Sequence, residues 1–241
     1  MNDKTQGFVL QSIRYGDTSL IVKVFTLDNG LQSFMVKGVR GKNPNNRAAF
    51  FQPMTFLRFV QNSRLSRSRI GYIKDIELVF SCRSVAASVN KSAILIYLSD
   101  LLSHTLTQQE RNESLYHFVF QSVEWLDLVE AGYANFPLFF TLELSRFLGF
   151  YPLANYREHA FFDMMEGQYV LCLPSHPYCF DEENSWLLSR IQNLGIDEIG
   201  SVPMSGVQRN GLLDGILTFM RLHAPMLKGL QSHEILRDVL R

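Results

Sequence analysis

Cysteine is scarce in this chain: Cys82, Cys172 and Cys179 are the three thiols in 241 residues. That is too few for a disulfide scaffold, so a reduced, cytoplasmic protein is expected. Long apolar runs are missing too. None approaches the roughly 20 residues that span a bilayer, so no membrane partner is expected. The first twelve residues (MNDKTQGFVLQS) carry charge and lack an apolar h-region, so no signal peptide is expected. Internal repeats and low-complexity tracts are absent. With 46% hydrophobic and 19% charged residues, disordered and collagenous classes are excluded. The length suffices for a sizeable core in one or two domains.

Chemistry-bearing motifs are equally thin. Gly38-Val39-Arg40-Gly41-Lys42 holds two glycines and a lysine without P-loop spacing, and Asn43 follows where Ser or Thr would bind magnesium. There is no G-x-S-x-G nucleophile elbow. Glu182-Glu183 sits at a helix start, where acids serve the helix dipole. The six histidines are scattered. A triad assembled in space is the remaining route to an enzyme. No motif with a mechanism supports one, so neither catalytic residues nor cofactors are expected. Cys172-x3-His176-x2-Cys179, with His159 upstream, supplies metal-type ligands. Structural zinc sites usually present two close pairs, and no C-x2-C exists here. Cysteines packed as small hydrophobes are the preferred reading, with a metal as the alternative.

The balanced net charge hides a split. Residues 1–80 hold twelve Lys and Arg against five Asp and Glu, a charge of +7, and the remainder is −7. Such asymmetry suggests a polyanion-binding module, or simply a solvated basic face. This basic third reads as strands over 7–14, 18–27, 31–39, 54–61 and 67–75, rich in β-branched and aromatic residues. Asp28-Asn29-Gly30 suits a tight hairpin turn between the second and third. Five short strands fit a small closed barrel, a common oligonucleotide binder. Single strands need cations for phosphates and aromatic faces for bases. The candidates are Arg14 and Tyr15, Phe34 beside Lys37, and the polar loop with Arg40, Lys42 and Arg47. Arg64, Arg67 and Arg69 lead on to Tyr72. Phe8, Phe25, Phe56 and Phe59 are expected in the core, and Tyr15 is the best exposed aromatic because Gly16-Asp17 turns the chain after it.

Beyond residue 80 the period becomes helical. Helices are predicted over 84–106, 110–130 with Gly132 as cap glycine, 137–147, 183–193, 209–223 and 233–241 with Ser232 as cap. Residues 155–182 are irregular, with a hairpin near Met165-Glu166-Gly167. The expected fold class is α+β: an N-terminal β-barrel domain over 1–80, then an α-helical domain over 81–241 with a small irregular insertion at 153–182.

Val9-Leu10, Arg14-Tyr15-Gly16-Asp17-x-Ser19, Thr26, Gly30 and Lys37-Gly38-Val39-Arg40 together resemble the N-terminal pattern of the RecO recombination mediators. Phe136 to Pro152 (FPLFFTLELSRFLGFYP) is similar to that family's helix ending in glycine before proline, and Leu227 to Leu240 resembles its closing helix. The likeness spans most of the chain. It implies an OB-fold barrel followed by a helical domain. The implied role is DNA repair: binding single- and double-stranded DNA, annealing complementary strands, and helping the RecA recombinase onto strands coated by single-stranded DNA-binding protein. The implied partners are RecR and the acidic, phenylalanine-ended tail of that coat protein, at the nucleoid. An RNA-binding or ribosome-associated barrel is the alternative, because backbone charge does not tell the polymers apart.

Many members of the family carry a four-cysteine zinc module after the G-x-x-P segment. Here the first cysteine pair is missing, and Cys172 and Cys179 are too far apart for a second. The segment reads as a degenerate zinc-finger-like insertion without its metal. The tail pocket that the resemblance implies needs an apolar floor rimmed by cations. In the acidic part of the chain, Arg146 beside Phe147 and Arg221 beside Phe219 and Leu222 are the candidates.

Overall fold

The computed structural model describes residues 2–39, 47–62, 70–106 and 110–240. It divides into two compact units, Met1–Asp127 and Leu128–Arg241. The first contains strands β1 (Asn2–Tyr15), β2 (Ser19–Thr26), β3 (Gly30–Val36), β4 (Phe56–Asn62) and β5 (Ile70–Phe80). They close into a barrel of order β1-β2-β3-β5-β4, with β3 and β5 parallel and the other neighbours antiparallel. The barrel is the expected OB-type fold, and it ends at Phe80. The division between compact units falls later, because helices α1 (Arg83–Ala87), α2 (Val89–Thr105) and most of α3 (Glu113–Leu128) belong with it.

Local chemistry explains these elements. The Asp28-Asn29-Gly30 turn joins β2 to β3 as expected, with Gly30 at φ 63°. The Thr26 hydroxyl donates to the Gly30 carbonyl at 2.9 Å and accepts from Asn29 N–H at 3.1 Å. One helix was expected over 84–106, but the chain forms two. Ser88 takes an extended conformation (φ −119°, ψ 122°) and caps α2 by accepting from Lys91 N–H. A second difference concerns Gly132. Helix α3 ends at Leu128, and Gly132 instead starts a short 3-10 turn, Tyr133–Asn135, with φ 79°.

A β-bulge decides what each side of the barrel faces. Phe8, Phe25 and Phe56 pair across strands on the outer surface, and α3 covers Phe8 and Phe56 with Tyr116 and Phe120 at ring distances of 5.1–6.3 Å. The interior holds the alternate residues, among them Val9, Val22, Val24, Phe34, Leu57, Phe59 and Ile73. Between Val9 and Gln11 the register of β1 slips by one residue. Leu10 is the extra one, its carbonyl bonded by Ser99 of α2 at 3.1 Å. Past the bulge Ser12 turns inward to donate to Phe51 O at 2.6 Å, and Ile13 turns outward.

The second unit is built from α4 (Phe136–Phe147), strands β6 (Phe161–Asp163), β7 (Gln168–Val170) and β8 (Cys179–Phe180), and helices α5 (Glu182–Gln192), α6 (Gly206–His223) and α7 (Ser232–Val239). The strands form one sheet of order β7-β6-β8, and the expected hairpin turns between β6 and β7. Pro137 opens α4 and Gly149, at φ 87°, follows its end, as expected. Glu182 and Glu183 lie in the first turn of α5, capped by Asp181. Helix α6 starts three residues before the expected 209, at a capping box in which Ser205 and Gln208 satisfy each other's backbone. Ser232 is not the cap of α7. Gln231 holds that position, and Ser232 is its first helical residue.

Candidate nucleic-acid interface

The described candidates on the barrel converge on one side of it. Tyr15 ends β1 opposite Ser19. Lys37 follows the last residue of β3, and Val39 N–H donates to Thr18 O at 3.0 Å, which ties the exit of β3 to the β1–β2 loop. From there the parallel pairing of Met35 with Tyr72 leads onto β5, and Asn62 closes the set at the end of β4. Lys37 Nζ lies 5.3 Å from the Tyr72 ring centroid, a cation–π contact. Lys37 is exposed, and Tyr15 and Tyr72 are 54% and 42% exposed; Arg14 is exposed too, but it pairs with the core residue Leu20 and alternates to the opposite face from Tyr15. Cations and aromatics on one surface can hold both phosphates and bases.

Several expectations need separate treatment. Arg40, Lys42, Arg64, Arg67 and Arg69, and the Arg47 side chain, lie outside the described residues. Phe34, proposed as a base-facing aromatic, is buried in the barrel core, 5.3 Å from Phe59 edge to face. Its position is an odd number of residues from Lys37, and strand alternation sends the two to opposite faces. Phe8, Phe25, Phe56 and Phe59 are buried as expected. Sequence reading missed Ile13, Ile21 and Met35, which stand on the outer surface of β1, β2 and β3. Their signal was parity with Tyr15, Lys23 and Lys37, which the bulge obscured on β1.

In the second unit, Arg146 is engaged locally. Its Nε and Nη2 donate to Glu143 at 3.1 and 3.2 Å, and its guanidinium stacks 3.7 Å from the Tyr151 ring centroid. Arg221 lies near Arg237 and His233. Burial and these two cations hold the His233 imidazole below its usual pKa, against the opposing pull of Asp214 and Glu234, and Arg237 is paired with Asp214.

The insertion holds the cysteines and the histidine that were the alternative metal ligands. Cys172 is exposed just past β7, which also overturns its reading as a packed hydrophobe: the strand stops at Val170 and the chain bends outward. The Cys179 thiol is pushed up by burial and by the neighbouring Asp163 and Asp181. His176 Nε2 faces Asp163 Oδ1 at 3.3 Å. Among the described residues, no three His, Cys, Asp or Glu side chains are placed to hold a metal. Other contacts hold the segment. Phe162 packs on Tyr169, Phe180 and Phe219, and Asn155 exchanges two hydrogen bonds with the Tyr169 backbone at 3.0 and 3.3 Å. Protein purified without added metal should therefore carry less than about half an equivalent of zinc, and chelation should leave its melting temperature unchanged. A full equivalent, lost together with the fold, would contradict this account of the insertion.

Two family profiles match this chain: the N-terminal part of recombination protein O over residues 1–82 and its C-terminal part over 87–230. The chain belongs to the RecO family. Among its relatives, a protein of Flavobacterium psychrophilum named DNA repair protein RecO is 32% identical over 241 residues, 99% of each chain. One of the same name from Phocaeicola vulgatus is 31% identical over 240 residues, again 99% of each. A more distant one from Porphyromonas gingivalis is 24% identical, over 96% of each chain. The profile boundary after residue 82 coincides with the end of the barrel at Phe80, so the RecO family's N-terminal part is this barrel.

Proposed function

We infer that this RecO-family protein serves DNA repair and recombination as a mediator rather than an enzyme. Its barrel binds single- and double-stranded DNA through phosphates. It anneals complementary strands and helps load RecA in the cytoplasm at the nucleoid, with RecR and the acidic tail of single-stranded DNA-binding protein as partners. The observation that carries this reading is the exposed Tyr15, Lys37 and Tyr72 on one side of a basic, OB-type barrel. Proteins that neutralise phosphates release counterions, so binding should weaken steeply with salt. Reversing Arg40 and Lys42 to Glu should lower single-strand and duplex affinity together, by roughly tenfold, because phosphate contacts carry no sequence information. Gel-shift titration of the folded double variant tests this, and unchanged binding would remove that loop from the interface. Competition by RNA separates the reading from its alternative: RNA displacing DNA at equal concentration would favour an RNA-binding barrel.

For the partner tail, Arg221 beside the exposed Leu222 is preferred to Arg146, whose charge is already shared with Glu143. Calorimetric titration of an acidic peptide ending in phenylalanine should show weaker binding to Arg221→Ala, by several-fold. Equal binding by Arg221→Ala and Arg146→Ala would put the pocket elsewhere.

A further inference from the structure

Helix α7 is the last element of the second unit, and its sequence, SHEILRDV, places an imidazole one turn before a guanidinium. His233 is its second residue and Arg237 lies four further on, so the two side chains are neighbours on one face. His233 is 8% exposed, and among the described residues its buried Nδ1 has no hydrogen-bond partner. Four charged groups face the ring: Arg221 and Asp214 of α6, and Arg237 and Glu234 of α7 itself. The carboxylate of Asp214 is taken up by Arg237, an ion pair that ties α7 to α6. Little else holds the helix. Leu236 and Leu240 are buried, and the Leu240 carbonyl accepts from Arg209 Nη1 at 3.0 Å. Isolated helices shorter than about twelve residues are marginal in water, so α7 depends on its docking.

A neutral imidazole suits this place. A bare Nδ1 strands no donor, and no third cation stands beside the two arginines. A further proton reverses both conditions. It puts an N–H at Nδ1 where no acceptor is placed, and it adds positive charge in the first turn of a helix, where the dipole is already positive. We propose that His233 is a proton-operated latch: neutral, it lets α7 lie on α6, and protonated, it releases the helix. Release turns Leu236 and Leu240 outward and parts Arg237 from Asp214, so a surface that is apolar and charged opens only in acid.

Linkage fixes the direction. In the released helix the imidazole has its ordinary pKa of about 6.5, and in the docked helix burial, Arg221 and Arg237 hold it lower. Docking is therefore at full strength well above about pH 6.5 and weakens as the pH falls below it. With the docked form still neutral, the released population at about pH 5.5 is about tenfold that at about pH 7.5.

The test is hydrogen exchange of the full chain, corrected for the intrinsic pH dependence of amide exchange. Protection of the α7 amides in the parent should fall about tenfold from about pH 7.5 to about pH 5.5, while α4 keeps its protection. His233→Gln, neutral and polar at both values, should hold α7 within about twofold over the same range. Arg221→Gln removes one repelling cation and should show a smaller fall than the parent. The NMR titration of the parent's His233 ring gives a second readout that needs no variant, with a midpoint expected below about 6.5. A flat protection of α7 in the parent, a fall that His233→Gln reproduces, or a ring midpoint at or above the ordinary value overturns the latch.

Discussion

Replacing Asn135 by alanine should destabilise the second unit by about 4 kcal/mol, the sum expected for stranding several buried polar groups. Asn135 is almost fully buried just before α4. Its Nδ2 donates to the carbonyls of Ile199 and Val202 at 3.0 and 2.9 Å, and its Oδ1 accepts from Arg209 Nε at 3.0 Å. Arg209 in turn donates to the carbonyls of Leu240 and Met204 at 3.0 and 3.1 Å, so one amide side chain links the start of α4 to α6 and the end of the chain. Alanine removes one acceptor from a half-buried guanidinium and leaves two carbonyls without that donor. Burial already holds the Arg209 pKa below its usual value, a sign that its charge is costly where it sits. Asn135→Asp keeps the acceptor for Arg209 but sets a carboxylate oxygen against the Ile199 and Val202 carbonyls, so it should be destabilised as well. Urea melts of the three proteins, read by circular dichroism, measure both losses. An Asn135→Ala variant within 1 kcal/mol of the parent would contradict this account of the network.

Gly215→Ala presents a case where two principles give opposite signs. Inside a helix such as α6, alanine is favoured over glycine by about 1 kcal/mol. A Cβ built on Gly215, however, collides with the Phe180 ring at Cε1 and Cζ. Phe180 is buried against Phe162, whose own ring packs on Phe219 of α6, so it has little freedom to swing aside. Overpacking of this kind typically costs 1–3 kcal/mol and occasionally more, and a contact this short lies at the upper end. The net expectation is a loss of roughly 2–3 kcal/mol and a displaced β8. Relief should come from Gly215→Ala combined with Phe180→Leu, which opens the space. Thermal melts of the single and double variants test this, and a more stable Gly215→Ala would show that helix propensity wins.

The parts of the fold legible in the sequence were those governed by chemistry within a few residues. Asp28-Asn29-Gly30 identified its hairpin because only a few residue types take positive φ. Pro137 and Gly149 framed α4 for similar reasons. What was hidden depends on partners far along the chain. The outer row of Phe8, Phe25 and Phe56 and the outer row of Ile13, Ile21 and Met35 look alike as alternating apolar positions. Only the bulge at Leu10 and the placement of α3 make one buried and the other open. Gly215 reads as a weak helix position until Phe180 is known to lie against it. Around the candidate site, Tyr15 was expected to be exposed because Gly16-Asp17 turns the chain after it, and it is. Phe34 was assigned to the wrong face, although counting parity from Lys37 would have sent it inward. Cys172 was misjudged because an apolar run, YVLCL, looks like a strand to its end, whereas β7 stops at Val170.

The central claim is that the barrel grips DNA mainly by its phosphates. The most direct measurement is the dependence of duplex affinity on salt, from about 50 to 200 mM, for the full chain. Neutralising about four phosphates predicts a slope of log K against log salt near −3.6. Charge reversal at Lys37 (Lys37→Glu) should make that slope shallower by about 1 while the protein stays folded. A slope near zero, or one that the reversal leaves unchanged, would contradict the assignment of this side of the barrel.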